Sequence, residues 1–295
     1  MLAMNHAIGI IGGSGLYDME GIDERTEVAV DTPFGQPSDT ITRGRFAGRS
    51  VYFLPRHGRG HRLLPTEVPH QANIWALRSL GVRWILCVTA VGSLREELHP
   101  EDMVAVDQFI DHTSRRAQHT FFGNGIVGHV SFANPISENL RAIVAEEARD
   151  LGCRIHDRGT YVCMDGPAFS TRAESERNRL LGASVIGMTN LPEAKLAREA
   201  EIALATMAMV TDYDCWKTDE APVTAEAVMR HVQANSAMAK KVIRAVIPRI
   251  PLQPDWPEHS ALDGAIMTAR EYWPENAVTA LHPILGRFCD IRPEG

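Results

Sequence analysis

Short runs rich in Val and Ile, bounded by Gly or Pro, alternate along this chain with helical patterns of ten residues or more. A chain patterned this way has to bury strands beneath covering helices, so the expected fold class is α/β. Strands are expected at 7–11, 50–54, 83–89, 102–106, 159–164, 183–188 and 202–211. Between them, Ser137 is positioned to cap a helix carrying Leu140, Ile143, Val144 and Leu151 on one stripe, and Gly152 stands where a left-handed terminator is wanted. A longer helix is expected from about Thr224 to Val246, with Val228, Val232, Ala239, Val242 and Val246 on its apolar face.

With 295 residues, 44% of them hydrophobic, the chain can build a sizeable core. The longest apolar stretches fall well short of the roughly 18 residues that cross a bilayer, and the N-terminus reads as a first strand rather than an export signal. Thirty basic against 37 acidic residues leave a net charge of −7. No basic block is present to track nucleic-acid phosphates or an acidic membrane. The five cysteines, at 87, 153, 163, 215 and 289, form no CxxC pair and no metal-ligand spacing. A reducing, cytoplasmic compartment is therefore expected. Seven of the 17 prolines fall in the last 48 residues. The chain thus divides into one domain over 1–247 and a Pro-rich appendage over 248–295, expected to be extended or irregular and without a readable role.

Residues suited to anion chemistry gather at strand ends, where α/β sheets place their ligands. Gly12-Gly13-Ser14-Gly15 follows the first strand and offers backbone N–H groups and a hydroxyl, although it is neither a GxGxxG fingerprint nor a P-loop. Pro55-Arg56-His57-Gly58 ends the second strand, and Val88-Thr89-Ala90 lies at the end of the third. One guanidinium, a few hydroxyls and backbone amides suit a single small oxyanion such as phosphate. His57 and His61, four apart, do not read as a zinc pair: glycines interrupt any helix between them and arginines flank both. Phe169 is placed either to stack on a planar ring or to fill the core. Asp212 and Asp214 share a face if the last strand continues through them, and two such acids resist double ionisation, leaving one as a proton donor near neutrality. The alternative is a pair of solvated carboxylates in a turn.

Taken together, GIIGGSGL, TPFGQPSD, PRHGRGH, HQANIWALRSLG, TAVGSLREE, DMVAVDQFIDHT, DGPAFSTRAES, MTNLPEAKLARE and TDYDCWK resemble, in order and spacing, the trimeric purine nucleoside phosphorylase family. The resemblance is strongest to its 5′-methylthioadenosine branch and covers roughly residues 7–247. It implies a single domain with a twisted, mixed central sheet flanked by helices, a homotrimer, and attack of inorganic phosphate on C1′ of a purine nucleoside with no metal or organic cofactor. Carried over, it implies phosphate binding by Ser14, Arg56, His57, Thr89, Ala90 and Thr189. Met188 would lie by the ribose and Phe169 by the purine, with Asp212 and Asp214 facing the N7 and 6-amino edge. Val223, Val228 and Met229 would form the 5′ pocket, and His129 would reach a neighbour's 5′ pocket. Ser14, Asn190 and Ala194 replace the family's commoner Thr, Thr and Val. Salvage of methylthioadenosine is the implied activity. The competing readings are a 6-oxopurine nucleoside or methylthioinosine phosphorylase and, in another class, a nucleotide-binding sensor without turnover.

Overall fold

The computed structural model describes residues 6–13, 16, 21–217 and 224–289. Its strands are β1 (Ala7–Gly12), β2 (Asp23–Val28), β3 (Ile41–Phe46), β4 (Arg49–Pro55), β5 (Val82–Ser93), β6 (Met103–Ala105), β7 (Gln108–His112), β8 (Ile155–His156), β9 (Thr160–Met164), β10 (Val185–Gly187) and β11 (Ala203–Asp212). The helices are α1 (His70–Ser79), α2 (Glu138–Asp150), α3 (Arg172–Leu180), α4 (Asn190–Glu199), α5 (Ala225–Val246), α6 (Glu275–Ala280) and α7 (His282–Cys289).

All the strands join one mixed sheet, ordered β2-β3-β4-β1-β5-β10-β9-β7, with β11 against β5 and β6, and β8 beyond β6. β5 is its hub, parallel to β1 and β11 and antiparallel to β10. The hub strands are buried on both faces, which is why they read as continuous apolar runs such as Trp84-Ile85-Leu86-Cys87-Val88. Side chains on β1 alternate between the two cores. Ala7 and Ile11 join α1, α4 and α7 through Ile74, Leu77, Leu196, Ala197 and Leu285. Ile8 and Ile10 instead meet α2 and α5 through Leu140, Val144, Ala239, Val242 and Val246. Four strands were not expected from the sequence. Among them β2 is the exposed, charged DERTEV segment on the sheet edge, where charge discourages edge-to-edge association and erases the apolar alternation that marks a strand.

Two expectations are corrected. Ser137 does precede α2, but its hydroxyl donates to Glu258 Oε2 at 3.1 Å instead of capping the helix; Gly152 has φ of +74°, as a left-handed terminator requires. The Pro-rich tail is not extended or irregular. It runs through short 3₁₀ turns into α6 and α7, and Leu262, Leu281, Ile284 and Leu285 sit in the same buried cluster as α1 and α4. Its prolines begin or separate short turns, for instance Pro257 at the start of the turn Pro257–Ser260. Among the described residues no helix is long and apolar enough to cross a membrane.

Candidate active site

A cavity of 460 Å³ opens over the ends of β1, β4, β5 and β11. Its wall brings together Arg56, His57, Thr89, Ala90, Phe169, Met188, Thr189, Asp212, Asp214, Val228 and Met229, all expected from the sequence. Ser14 and Val223 lie outside the described residues. His129 is the one expected residue, among those described, that does not line the cavity. It is exposed, and its N–H donates to Ala265 O at 2.8 Å.

The cavity floor is read along β5. Arg56 follows β4 directly, its backbone N–H held by Gly12 O at 3.0 Å, and its Nη1 donates to Val88 O at 2.8 Å. The guanidinium therefore sits at the Val88–Thr89 level. At the other end Asp212 of β11 is in register with Gly92, where a Cβ would come within 3.0 Å of Asp212 Oδ1 and 3.3 Å of Asp214 Cβ. Gly92 lies three residue steps along the strand from Thr89, about 10 Å at the usual rise. Donors and acids thus occupy opposite ends of one trough.

At the donor end Arg56 is fixed from behind. Arg56 is almost fully buried and forms a two-pronged pair with Glu193, Nε to Oε1 at 2.5 Å and Nη2 to Oε2 at 2.9 Å. Burial alone would raise the Glu193 carboxyl, but the guanidinium overrides it and holds the acid below its ordinary range. Burial likewise works against the Arg56 charge, and Glu193 more than restores it. Glu193 was missed in the sequence; an acid in the first turn of a helix usually reads as a solvated charge, whereas this one is wholly buried in α4. Asn190 Nδ2 donates to Glu193 Oε2 at 3.1 Å while its Oδ1 accepts from Thr206 Oγ1 at 2.8 Å. That places Asn190, where the family more often has Thr, in a chain that ends on Arg56. Nothing in the structure explains Ala194.

His57 Nδ1 lies 2.9 Å from Leu63 O, so in neutral imidazole this nitrogen donates and Nε2 remains an acceptor. Burial first, then the Arg56 charge, lower its pKa to about 4. The ring stacks on His61 at 4.3 Å. Thr189 precedes α4 as its N-cap residue, and the positive end of that helix adds to the field at the donor end.

At the acid end the structure replaces the expected strand geometry with a turn. β11 stops at Asp212, Asp214 has φ of +52°, and Asp212 Oδ1 accepts the Asp214 N–H at 2.8 Å. Both carboxylates still reach the cavity, and burial raises the pKa of each; Asp214 adds to the rise at Asp212. Asp212 Oδ2 accepts from Thr211 Oγ1 at 2.7 Å, whereas Asp214 Oδ2 is buried and, among the described residues, has no partner at hydrogen-bond geometry. Such a pair suits one shared proton. Phe169 is 46% exposed at the cavity mouth, which removes the reading of it as a core residue. Val228, Met229 and Val232 bring the α5 face to the same cavity.

A family model described as the phosphorylase superfamily matches residues 7–248. The chain is 52% identical to an S-methyl-5′-thioadenosine phosphorylase from Gloeobacter violaceus over 97% of each chain. It is 50% identical to one from Geobacter sulfurreducens over 97% of this chain and all of that one. A crystal structure of a methylthioadenosine phosphorylase sourced from an antarctic soil metagenomic library superposes with a TM-score of 0.89 at 47% identity, covering 95% of this chain and 99% of the other. The Schistosoma mansoni methylthioadenosine phosphorylase in complex with adenine gives 0.82 at 34% identity, covering 90% and 100%.

Proposed function

The chain belongs to the phosphorylase superfamily, and from that premise we propose that it cleaves 5′-methylthioadenosine with inorganic phosphate, releasing adenine and 5-methylthioribose 1-phosphate. The observation that carries the reading is the trough along β5, with the Arg56 and Thr89 donors at one end and the Asp212–Asp214 pair about 10 Å away. A nucleoside bridging the two ends presents C1′ to phosphate and its purine to the acids.

Breaking the C–N bond builds positive charge on the ribose and negative charge on the base. Phosphate held by Arg56, His57, Thr89, the Ala90 N–H and Thr189 stabilises the first charge and supplies the nucleophile. Holding it against C1′ is worth effective molarities on the order of 10⁵ M or more, and donors fixed in advance lose nothing to reorganisation. Asp212 and Asp214 deliver a proton to N7 and accept from the 6-amino group; positioned proton transfer contributes about 10²–10⁴ in rate. A carboxylate facing a 6-oxo group would meet it acceptor to acceptor, so the pair favours adenine over hypoxanthine. Phe169 covers the purine, Met188 lies by the ribose, and Val228 and Met229 receive the methylthio group. Phosphate is the co-substrate, and the scheme draws on no metal or organic cofactor.

We place the enzyme in a homotrimer, in which the exposed His129 contributes to a neighbour's 5′ pocket. Sedimentation showing a stable, fully active monomer would overturn this. The activity itself is tested by assaying methylthioadenosine, adenosine, inosine and methylthioinosine, each with and without phosphate. Phosphate-dependent adenine release, fastest from methylthioadenosine, is expected. Preference for the 6-oxo nucleosides would support the runner-up specificity, and binding without turnover would leave a sensor.

A further inference from the structure

Tyr161, near the start of β9, is fully buried, and its hydroxyl has no hydrogen-bond partner among the described residues. The ring is held in place on two sides. Phe109 of β7 lies 5.5 Å away between ring centroids, and at Gly187 a Cβ would meet the phenolic oxygen at 2.0 Å, so only glycine admits the hydroxyl there. The polar groups beside that oxygen are the Thr89 side chain and the Thr189 backbone N–H, and both residues line the cavity. The Thr89 hydroxyl donates to Ala90 O at 3.4 Å, close to the limit of a hydrogen bond. A buried hydroxyl left unmatched beside two donors is costly, and its position calls for a use.

We propose that Tyr161 is a positioning residue of the phosphate site: it accepts the Thr189 N–H and donates its own proton to Thr89 Oγ1, so that the Thr89 proton is turned toward phosphate. A threonine hydroxyl has one proton and accepts as well as donates, so a fixed donor behind it sets the direction of the bond in front. The inference rests on the assignment of Thr89 to phosphate.

The test is steady-state kinetics of Tyr161→Phe with phosphate and methylthioadenosine varied separately, alongside its thermal midpoint. Phosphate KM is expected to rise about 3–10-fold, the worth of one hydrogen bond, with smaller changes in nucleoside KM and kcat. The midpoint should stay level, because phenylalanine keeps the ring packed against Phe109. Gly187→Ala, which pushes the phenol aside, should move phosphate KM in the same direction. On a Thr89→Ala background, Tyr161→Phe should add nothing. An unchanged phosphate KM in Tyr161→Phe while Thr89→Ala is impaired overturns the proposal, as do equal losses in both KM values with a lowered midpoint. If Thr89→Ala itself leaves phosphate KM unchanged, the phosphate site as a whole is misassigned.

Discussion

Arg56 and Glu193 neutralise each other inside the molecule, with side-chain exposures of only 2% and 1%. Glu193 presents its carboxylate to one edge of the guanidinium and Val88 O accepts from Nη1, which leaves one proton each on Nη1 and Nη2 for an anion in the cavity. Both the charge and the orientation of Arg56 are thus set from behind.

Glu193→Gln should therefore cost more than a surface acid would. Removing one partner of a buried pair leaves an uncompensated charge, a loss of about 3–5 kcal/mol, together with a higher phosphate KM. Chemical denaturation of the variant against wild type checks the first and initial rates the second. A loss below about 1 kcal/mol would contradict the burial argument.

Arg56→Ala is expected to raise phosphate KM strongly while nucleoside affinity stays nearly intact, because the guanidinium is assigned to the anion alone. Isothermal titration with each ligand separately decides it.

Asp212→Asn should lose more turnover with 6-aminopurine than with 6-oxopurine nucleosides, since an amide donates to O6 or N7 but gives up no proton. Equal losses on adenosine and inosine would remove the pair from the 6-position.

The apolar side chains of Val228 and Met229 offer a 5′-hydroxyl no hydrogen bond, whereas a methylthio group buries a methyl and a polarisable sulfur there. Methylthioadenosine should be preferred over adenosine by about 1–3 kcal/mol, on the order of 10–200-fold in kcat/KM. Val228→Ser should narrow that ratio; a preference untouched by the serine takes α5 out of the 5′ pocket.

His259 ties the tail to the hub strand. Its Nδ1 accepts the Trp256 N–H at 3.1 Å, so Nε2 donates to Arg83 O at 2.9 Å. Protonation would set two N–H groups against each other, and burial lowers the pKa from 6.5 to about 4. The folded state therefore binds fewer protons than the unfolded one between those values. The contribution is complete above pH 6.5 and is lost as pH falls toward 4, about 1–2 kcal/mol after allowing for solvent screening. Stability measured from pH 4 to 8 should show a flatter acid limb in His259→Gln than in wild type.

The fold class, the hub strands and most of the cavity wall were legible because buried parallel strands leave apolar runs and their ends expose unusual residues such as Arg56 and Thr89. Three things were hidden, each for a physical reason. Glu193 and Asn190 look like ordinary helix-start polars, and only the three-dimensional path from Thr206 to Arg56 gives them a task. The Asp212–Asp214 turn replaces the strand that spacing alone suggested, because Asp212 accepts from its own chain two residues on. Prolines in the tail concealed helices whose apolar faces show only once α1 is beside them.

That tail has a bearing on how the protein comes into being. Leu262, Leu281, Ile284 and Leu285 cover one face of the core, yet a ribosome delivers them long after α1. At about 5–20 residues per second, α1 is made roughly ten seconds or more before the helix that shields it, and until then Ile74 and Leu77 lack part of their cover. During that interval the nascent chain is sticky on one side, and chaperones that hold apolar surface have a window in which to act.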